Sequence, residues 1–345
     1  TRVPSSMLRT SLGILNLTSP VSTTGLITPE NIGAYALVAQ NPNSRYQDAS
    51  ANVEYGGSLV AMPTMALTYA PLLRDEIAAN SGFVALEDSK TARRQTPFAK
   101  CEIRWLRPVY AGDTITGSRS VLEKYERRGS KFVTFRVKAA NQYGQQVAEF
   151  DYTCIFEYAQ GQRSVPQDRG SSAHSISSED RIAGISMTDS LVVNVNSISV
   201  RDPLPMLTIS ESQETINCKS EFRLAGTTGG PSNIHTDEEF ARQNIFGGTV
   251  NAGTATMSYV DQMLQRSFPL RAFYQGGRLL MRAIEPFRAG DTVTFQGEVT
   301  GKQEYHVSSL GNGGQKRGVV ECRVKGINQR GDLVCLADAA MVMPD

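Results

Sequence analysis

The chain has 345 residues, 40% of them apolar and 20% charged, which is enough for two globular domains with a sizeable core in each. Its net charge is +1 with no basic block, so nucleic acid is not an expected partner, and no apolar run is long enough to span a bilayer, so no membrane is expected either. The five cysteines (Cys101, Cys154, Cys218, Cys322, Cys335) are odd in number, widely spaced and lack any CxxC, which points to reduced core cysteines inside a cell rather than structural zinc or a disulfide scaffold.

In chain order, Thr1–Ser6 carries no apolar signal-peptide core, so a secretory leader is not expected in these residues. Thr28-Pro29-Glu30 supplies an N-cap and a proline at the first helical position for a helix over Asn31–Gln40. A polar loop follows, then an apolar helix expected over Ser58–Leu73, and residues 75–95 read as an insertion, either a lid or a helix extension. Lys131–Val137 alternates with a period of two and predicts a strand, and Asp151–Tyr158 reads as the strand closing the first half. Gln160–Gly184, rich in Ser, Gly, Gln and Asp, reads as a linker or a surface excursion between domains at 1–159 and 185–345. The second half predicts helices over Ser210–Leu224 and Thr254–Arg266, strands over Gly318–Val324 and Leu333–Met343, and a long hairpin over His306–Lys316 with Gly311–Gly314 at its tip.

The two halves repeat. Arg107-Pro108-Val109-Tyr110-Ala111-Gly112-Asp113-Thr114 returns as Glu285-Pro286-Phe287-Arg288-Ala289-Gly290-Asp291-Thr292, and Asn141-Gln142-Tyr143-Gly144 as Asn328-Gln329-Arg330-Gly331. Each is a turn in which Gly supplies a positive φ and Asp or Asn a side-chain acceptor. Upstream, Tyr55-Gly56-Gly57-Ser58 can be laid on Phe246-Gly247-Gly248-Thr249. Three correspondences in one order predict duplicated domains.

The richest segment for chemistry is Pro231–Ala241. It holds His235, one of three histidines, on a polar loop that leads into Asp237-Glu238-Glu239 and then, through Gly247-Gly248 and Ala252-Gly253, into an apolar helix. An imidazole beside a helix N-terminus suits acid/base work on a carbonyl compound. The acidic triplet reads first as charge complementing a helix dipole. His174 in the linker and His306 on the hairpin read as solvated, and Asp113 and Asp291 as turn residues. Gly311–Gly314 follows a strand in a hairpin, so phosphate cradling is not expected, and no nucleophile-elbow, Walker or dinucleotide pattern occurs.

The repeated Pro-x-x-Ala-Gly-Asp-Thr turn and the Ser232-Asn233-Ile234-His235-Thr236-Asp237 run resemble those of the MaoC-like hydratase/dehydratase superfamily, over nearly the whole chain. The resemblance implies an α+β double hot-dog, two tandem domains each with a central helix wrapped by an antiparallel sheet. It implies a hydro-lyase acting on a 3-hydroxyacyl or enoyl thioester, carried on CoA or a carrier protein, in fatty acid or polyketide metabolism. His235 would be the general acid/base and the Gly253 N–H the donor to the thioester oxygen. The family's aspartate position falls on Gly230 and its Asn-Pro pair on Ser232-Asn233, two departures. Asp237, Asp48 and Glu54 are the carboxylates placed to substitute. Asn233, Gly248, Asn251, Met62 and Tyr46 would contact substrate. The first half, with Ala39, Ser44 and Met62 at the matching positions, would be non-catalytic. No metal or organic cofactor is expected, because the reaction needs only proton transfer and charge stabilisation. A homodimer fits the habit of such proteins, and the cytoplasm is the expected location, with the peroxisome as the alternative. The departures leave open an isomerase or cyclase acting on a polyketide-like substrate, or a non-catalytic acyl-binding subunit.

Overall fold

A computed structural model describes residues 21–73, 77, 96–157, 194–224, 233–307 and 315–343. The insertion at 75–95 apart from Ile77, the linker at 160–184 with His174, the hairpin tip Gly311–Gly314 and the Gly230–Ser232 stretch lie outside these residues, as does the His306 side chain.

The first half contributes β1 (Val21–Leu26), α1 (Pro29–Val38), α2 (Ala66–Tyr69), β2 (Phe98–Trp105), β3 (Thr114–Arg127), β4 (Ser130–Ala140) and β5 (Gln146–Glu157). The second contributes β6 (Pro203–Ser210), α3 (Gln213–Leu224), α4 (Glu238–Arg242), α5 (Gly253–Gln265), α6 (Leu270–Tyr274), β7 (Arg278–Ala283), β8 (Thr292–Val307), β9 (Gln315–Asn328) and β10 (Leu333–Met343). The strands form one 10-stranded sheet in the order β1-β3-β4-β5-β2-β7-β10-β9-β8-β6. From either end inward the sequence of elements is the same, so the sheet is two copies of one five-strand unit, joined where β2 and β7 pair antiparallel, Ile103 opposite Leu279. Joining the copies there pairs two strand edges that would otherwise expose unsatisfied backbone groups. The architecture is the expected α+β double hot-dog.

The duplication extends to single hydrogen bonds. Asp113 accepts from Tyr110 N at 2.8 Å and Gln142 Nε2 at 2.9 Å, and Asp291 accepts from Arg288 N at 3.0 Å and Gln329 Nε2 at 3.2 Å. Gly112 and Gly290 hold φ of 95° and 85° in these turns, where a side chain would be strained.

Thr28 caps α1 in a capping box with Asn31, and Pro29 opens the helix, as its sequence predicts. Two helices are shorter than expected. The one read over Ser58–Leu73 begins only at Pro63, because Val60 bridges to Tyr110 and Ala61 N donates to Val109 O, and α2 ends at Tyr69. The helix read from Ser210 begins at Gln213, because Ser210 still pairs with Thr292 in the sheet.

The α5 helix runs through the middle of the core, with Met257, Tyr259, Val260, Met263 and Leu264 buried. Its polar residues meet the first half: Gln262 Nε2 donates to Ala39 O at 2.6 Å, and Gln265 Oε1 accepts from Tyr46 OH at 2.5 Å. Four of the five cysteines are buried and Cys218, on α3, is exposed; all are free thiols. Among the described residues no helix is long and apolar enough to cross a membrane.

Candidate active site

His235 lies in a tight turn ahead of α4. Asn233 Oδ1 accepts from His235 N at 2.8 Å and Thr236 N at 3.2 Å, an Asx turn that fixes the backbone carrying the imidazole. Asp237 caps α4, accepting from Phe240 N at 2.9 Å. The loop then returns so that Val250 N donates to Ile234 O at 3.1 Å, and His235 Nδ1 lies 2.8 Å from Val250 O. A carbonyl oxygen only accepts, so Nδ1 carries the proton, and in the neutral ring Nε2 is the basic nitrogen. Gln213 braces the same turn from α3, donating to His235 O and accepting from Thr249 Oγ1, both at 2.8 Å.

Directly after this loop α5 begins at Gly253. Its N-cap is Ala252, which provides no side-chain acceptor; Ala255 N turns back to Ala252 O at 3.0 Å, and no side chain caps the Gly253 and Thr254 N–H groups at the positive end of this 13-residue helix. Alanine is among the poorest N-caps, and its presence at the start of the central helix is a cost to local stability. Gly253 is also sterically required, since a Cβ there would lie 2.3 Å from the Phe98 ring. An imidazole held as the Nδ1–H tautomer by the loop that leads into a helix start without a side-chain cap is suited to move a proton while the backbone stabilises a developing oxyanion.

Beneath α5 lies a charged cluster that its sequence alone does not announce. Glu211, following β6 and 3% exposed, accepts from Thr215 Oγ1 at 2.6 Å and Asn251 Nδ2 at 2.8 Å, and also from Lys219 Nζ and Tyr259 OH. Burial holds the Lys219 ammonium below its ordinary value, against the opposing pull of Glu211, and pushes the Tyr259 hydroxyl up. The signal that could have found Glu211 is the repeat itself. Glu211 N donates to Asp291 O and its carbonyl accepts from Gly290 N, just as Ile27 does with Asp113 O and Gly112 N. A glutamate therefore stands where the other copy has a buried isoleucine.

The remaining expected site residues have defined places. Asn251 is buried and turned inward to Glu211, Gly248 is buried in the loop before it, and Asn233 Nδ2 is buried with no hydrogen-bond partner among the described residues. Tyr46 and Met62 are fully buried, the first donating to Gln265 and the second accepting from Asn41 Nδ2 at 3.6 Å. Asp48 caps a short helix, accepting from Ser50 N at 2.9 Å and Ser50 Oγ at 2.7 Å. Glu54 crosses between halves to the start of α6, accepting from Leu270 N at 2.9 Å and Arg271 N at 2.6 Å. The structure thus brings His235, Asn233, Gly248, Asn251 and Gly253 onto one loop and helix start, and gives Asp48 and Glu54 other posts.

Matching hydrogen bonds shift the correspondence between halves by one residue near the helix start. Asn251 N donates to Phe287 O and Ala61 N to Val109 O, so the partner of Gly253 is Pro63 rather than Met62. Proline has no N–H to offer an oxyanion. Asp48 and Asp237 are both caps whose N–H returns to a carbonyl four residues back, which sets Tyr46, rather than Ser44, against His235. Among the described residues no group of three or more His, Cys, Asp or Glu could hold a metal ion.

A helix wrapped by half of a doubled antiparallel sheet, with a histidine loop at its start, defines a double hot-dog protein. Residues 208–317 match the MaoC like domain, and residues 19–150 match a FAS1-like dehydratase domain region. No curated protein matches the chain in sequence. Among solved structures it is similar to a MaoC-like dehydratase at 17% identity and a TM-score of 0.67, covering 94% of this chain and 97% of that one. It is likewise similar to a MaoC-like dehydratase from Phytophthora capsici (15%, TM-score 0.60, 96% and 97% covered). A Mycobacterium tuberculosis protein described as a double hot-dog matches at 13% identity and TM-score 0.55, covering 95% and 97%. Each half thus matches a model of a dehydratase domain, MaoC like in the second half and FAS1-like in the first, on a double hot-dog fold, which supports a hydratase/dehydratase role in general terms.

Proposed function

We propose that the protein is a hydro-lyase acting on an enoyl or 3-hydroxyacyl thioester on CoA or an acyl carrier protein, with His235 as the general acid/base and the Gly253 N–H as oxyanion donor. The observation that carries this reading is the 2.8 Å contact from His235 Nδ1 to Val250 O beside an uncapped helix start. In the hydration direction Nε2 takes a proton from water as its oxygen bonds to the β-carbon. The carbon–carbon π electrons move toward the thioester oxygen, where the α5 N-terminus stabilises the charge. The imidazolium then returns the proton to the α-carbon, so water has added across the double bond and the enzyme is unchanged. Dehydration is the reverse.

One imidazole performing both transfers is favoured by the carboxylates. Asp48, Glu54 and Asp237 each order local backbone, and Glu211 is buried with both oxygens engaged. The family's aspartate position is Gly230, which has no side chain. No organic cofactor enters this chemistry.

The test is hydration of crotonyl-CoA and longer enoyl-CoA thioesters, followed as loss of conjugated absorbance, by wild type and His235→Ala. We expect turnover that falls by about 10²- to 10⁴-fold in the variant. Thioester binding without turnover, unaffected by the substitution, would overturn the reading in favour of an acyl-binding protein. Conversion of a bulkier polyketide-like substrate without water addition would make it an isomerase or cyclase.

A further inference from the structure

The buried charge beneath α5 has an internal control. The half without a histidine carries Ile27 where the other carries Glu211, and Ala61 where it carries Asn251. Both first helices start two residues past that position, α1 at Pro29 and α3 at Gln213, so Lys219 on α3 corresponds to Tyr35 on α1. The fold is therefore built once with uncharged residues at these places, an isoleucine, an alanine and a tyrosine, and once with an ion pair and an amide. Burying an ion pair costs desolvation that an isoleucine and a tyrosine avoid, so stability alone does not account for the second arrangement.

We infer that Glu211 and Asn251 are positioning residues that hold residues 250–253 in the one geometry the site needs. Asn251 spans two anchors: its Nδ2 donates to Glu211 at 2.8 Å, and its Oδ1 accepts from Ala252 N at 2.9 Å. Its own N–H is fixed to Phe287 O at 2.7 Å. The carbonyl just before it, on Val250, sets the His235 tautomer, and the helix start just after it carries the Gly253 N–H. One side chain thus fixes the relative placement of the proton-transfer group and the oxyanion donor. Lys219 makes the arrangement tolerable. It neutralises Glu211, so that no bare negative charge lies under a helix end required to attract one.

The inference rests on the reading of His235 and Gly253 as the reacting groups, but its first readout needs no turnover. The protein has three histidines, so the ¹⁵N signals of His235 can be assigned by their loss in His235→Ala. In the wild type we expect a neutral ring protonated at Nδ1. In Asn251→Ala and Glu211→Gln we expect both tautomers, while thermal melting and near-ultraviolet dichroism report a folded chain. If Glu211→Gln does not fold, Asn251→Ala is the deciding variant. With an enoyl thioester that the wild type turns over, kcat should fall on the order of 10- to 100-fold with KM little changed, as expected when reacting groups are misplaced by fractions of an ångström. Lys219→Met should lower kcat, and the double variant with Glu211→Gln should recover part of that loss by removing the stranded charge. An unchanged single tautomer in a folded Asn251→Ala variant would overturn the inference, whether or not any thioester is a substrate. A mixed tautomer with no turnover in the wild type would sustain it and fault only the proposed reaction.

Discussion

The Asp261 carboxylate on α5 accepts both the backbone N–H of Thr64 at 3.0 Å and its hydroxyl at 2.7 Å, so a fully buried acid of the second half is bonded into the first. Gln265 Nε2 occupies its other oxygen at 2.7 Å. Burial raises its pKa from 3.8 to about 6, against the lowering effect of these bonds. A carboxyl whose value is raised by folding binds its proton more tightly in the folded chain. Its contribution to stability is full below about 4 and is lost as pH rises through about 6. We expect the stability of the wild type relative to Asp261→Asn to fall by on the order of 3 kcal/mol across that window, measured by urea unfolding at both ends. A pH-independent difference between the two proteins would show that Asp261 does not titrate there.

Phe98 and Gly253 form a second contact between halves. The three atoms nearest a Cβ at Gly253 all belong to Phe98, at 2.3, 2.4 and 2.9 Å, and the ring is held edge-on against Tyr152 with centroids 5.1 Å apart. Gly253→Ala should therefore cost about 1–3 kcal/mol through overpacking. In a Phe98→Ala background the same substitution should cost much less, and a double-mutant cycle by chemical unfolding reads the difference. Equal costs in both backgrounds would mean that something other than the ring excludes the methyl group.

Ala252 offers a trade of function for stability. A serine there could accept from the Thr254 N–H, which no side chain caps. Ala252→Ser should stabilise the chain by about 1 kcal/mol and at the same time lower turnover, because a hydroxyl bonded to the Thr254 N–H crowds the helix end where the neighbouring Gly253 N–H is assigned to the thioester oxygen. Thermal melting and enoyl-CoA hydration on one preparation check both. Higher stability with undiminished turnover would argue that the helix start does not meet the substrate.

Much of the fold is legible because turns carry local chemistry. The Gly112-Asp113 and Gly290-Asp291 pairs need their residue types for a positive φ and a side-chain acceptor, so the repeat can be read from a few letters, and with it the doubled sheet. Helix starts are legible where a cap is present, as at Thr28, and misread where a strand or bridge competes for the same residues, as at Ser58–Met62. His235 and Gly253 stand out as a rare residue and a helix opener. Glu211 does not, because a glutamate before a helix reads as an exposed first-turn charge. Only the tertiary register, which sets it against Ile27, reveals it as buried. The one-residue shift from Met62 to Pro63 is hidden for the same reason: an ungapped alignment cannot show which backbone groups share a partner.

The paired turns also differ in what they support. Asp113 is half-buried and holds Tyr110 N and Gln142. Asp291 is 3% exposed and in addition accepts from Arg330 Nη1 at 2.7 Å. It also lies against buried Arg288, whose guanidinium donates to Phe246 O at 2.6 Å and Thr249 O at 3.3 Å, on the loop between His235 and Gly253. Removing the Asp291 carboxylate takes from a buried cation the larger of the two negative charges, Asp291 and Glu285, that offset its desolvation, whereas removing Asp113 leaves only neutral donors near solvent. Asp291→Ala should cost about 3 kcal/mol and Asp113→Ala about 1 kcal/mol by urea unfolding. Only the first should also reduce enoyl-CoA hydration, because Arg288 tethers the loop between His235 and Gly253. Equal losses of stability would mean that the turns act as turns alone, and that Arg288 is held in place by its backbone acceptors without help from Asp291.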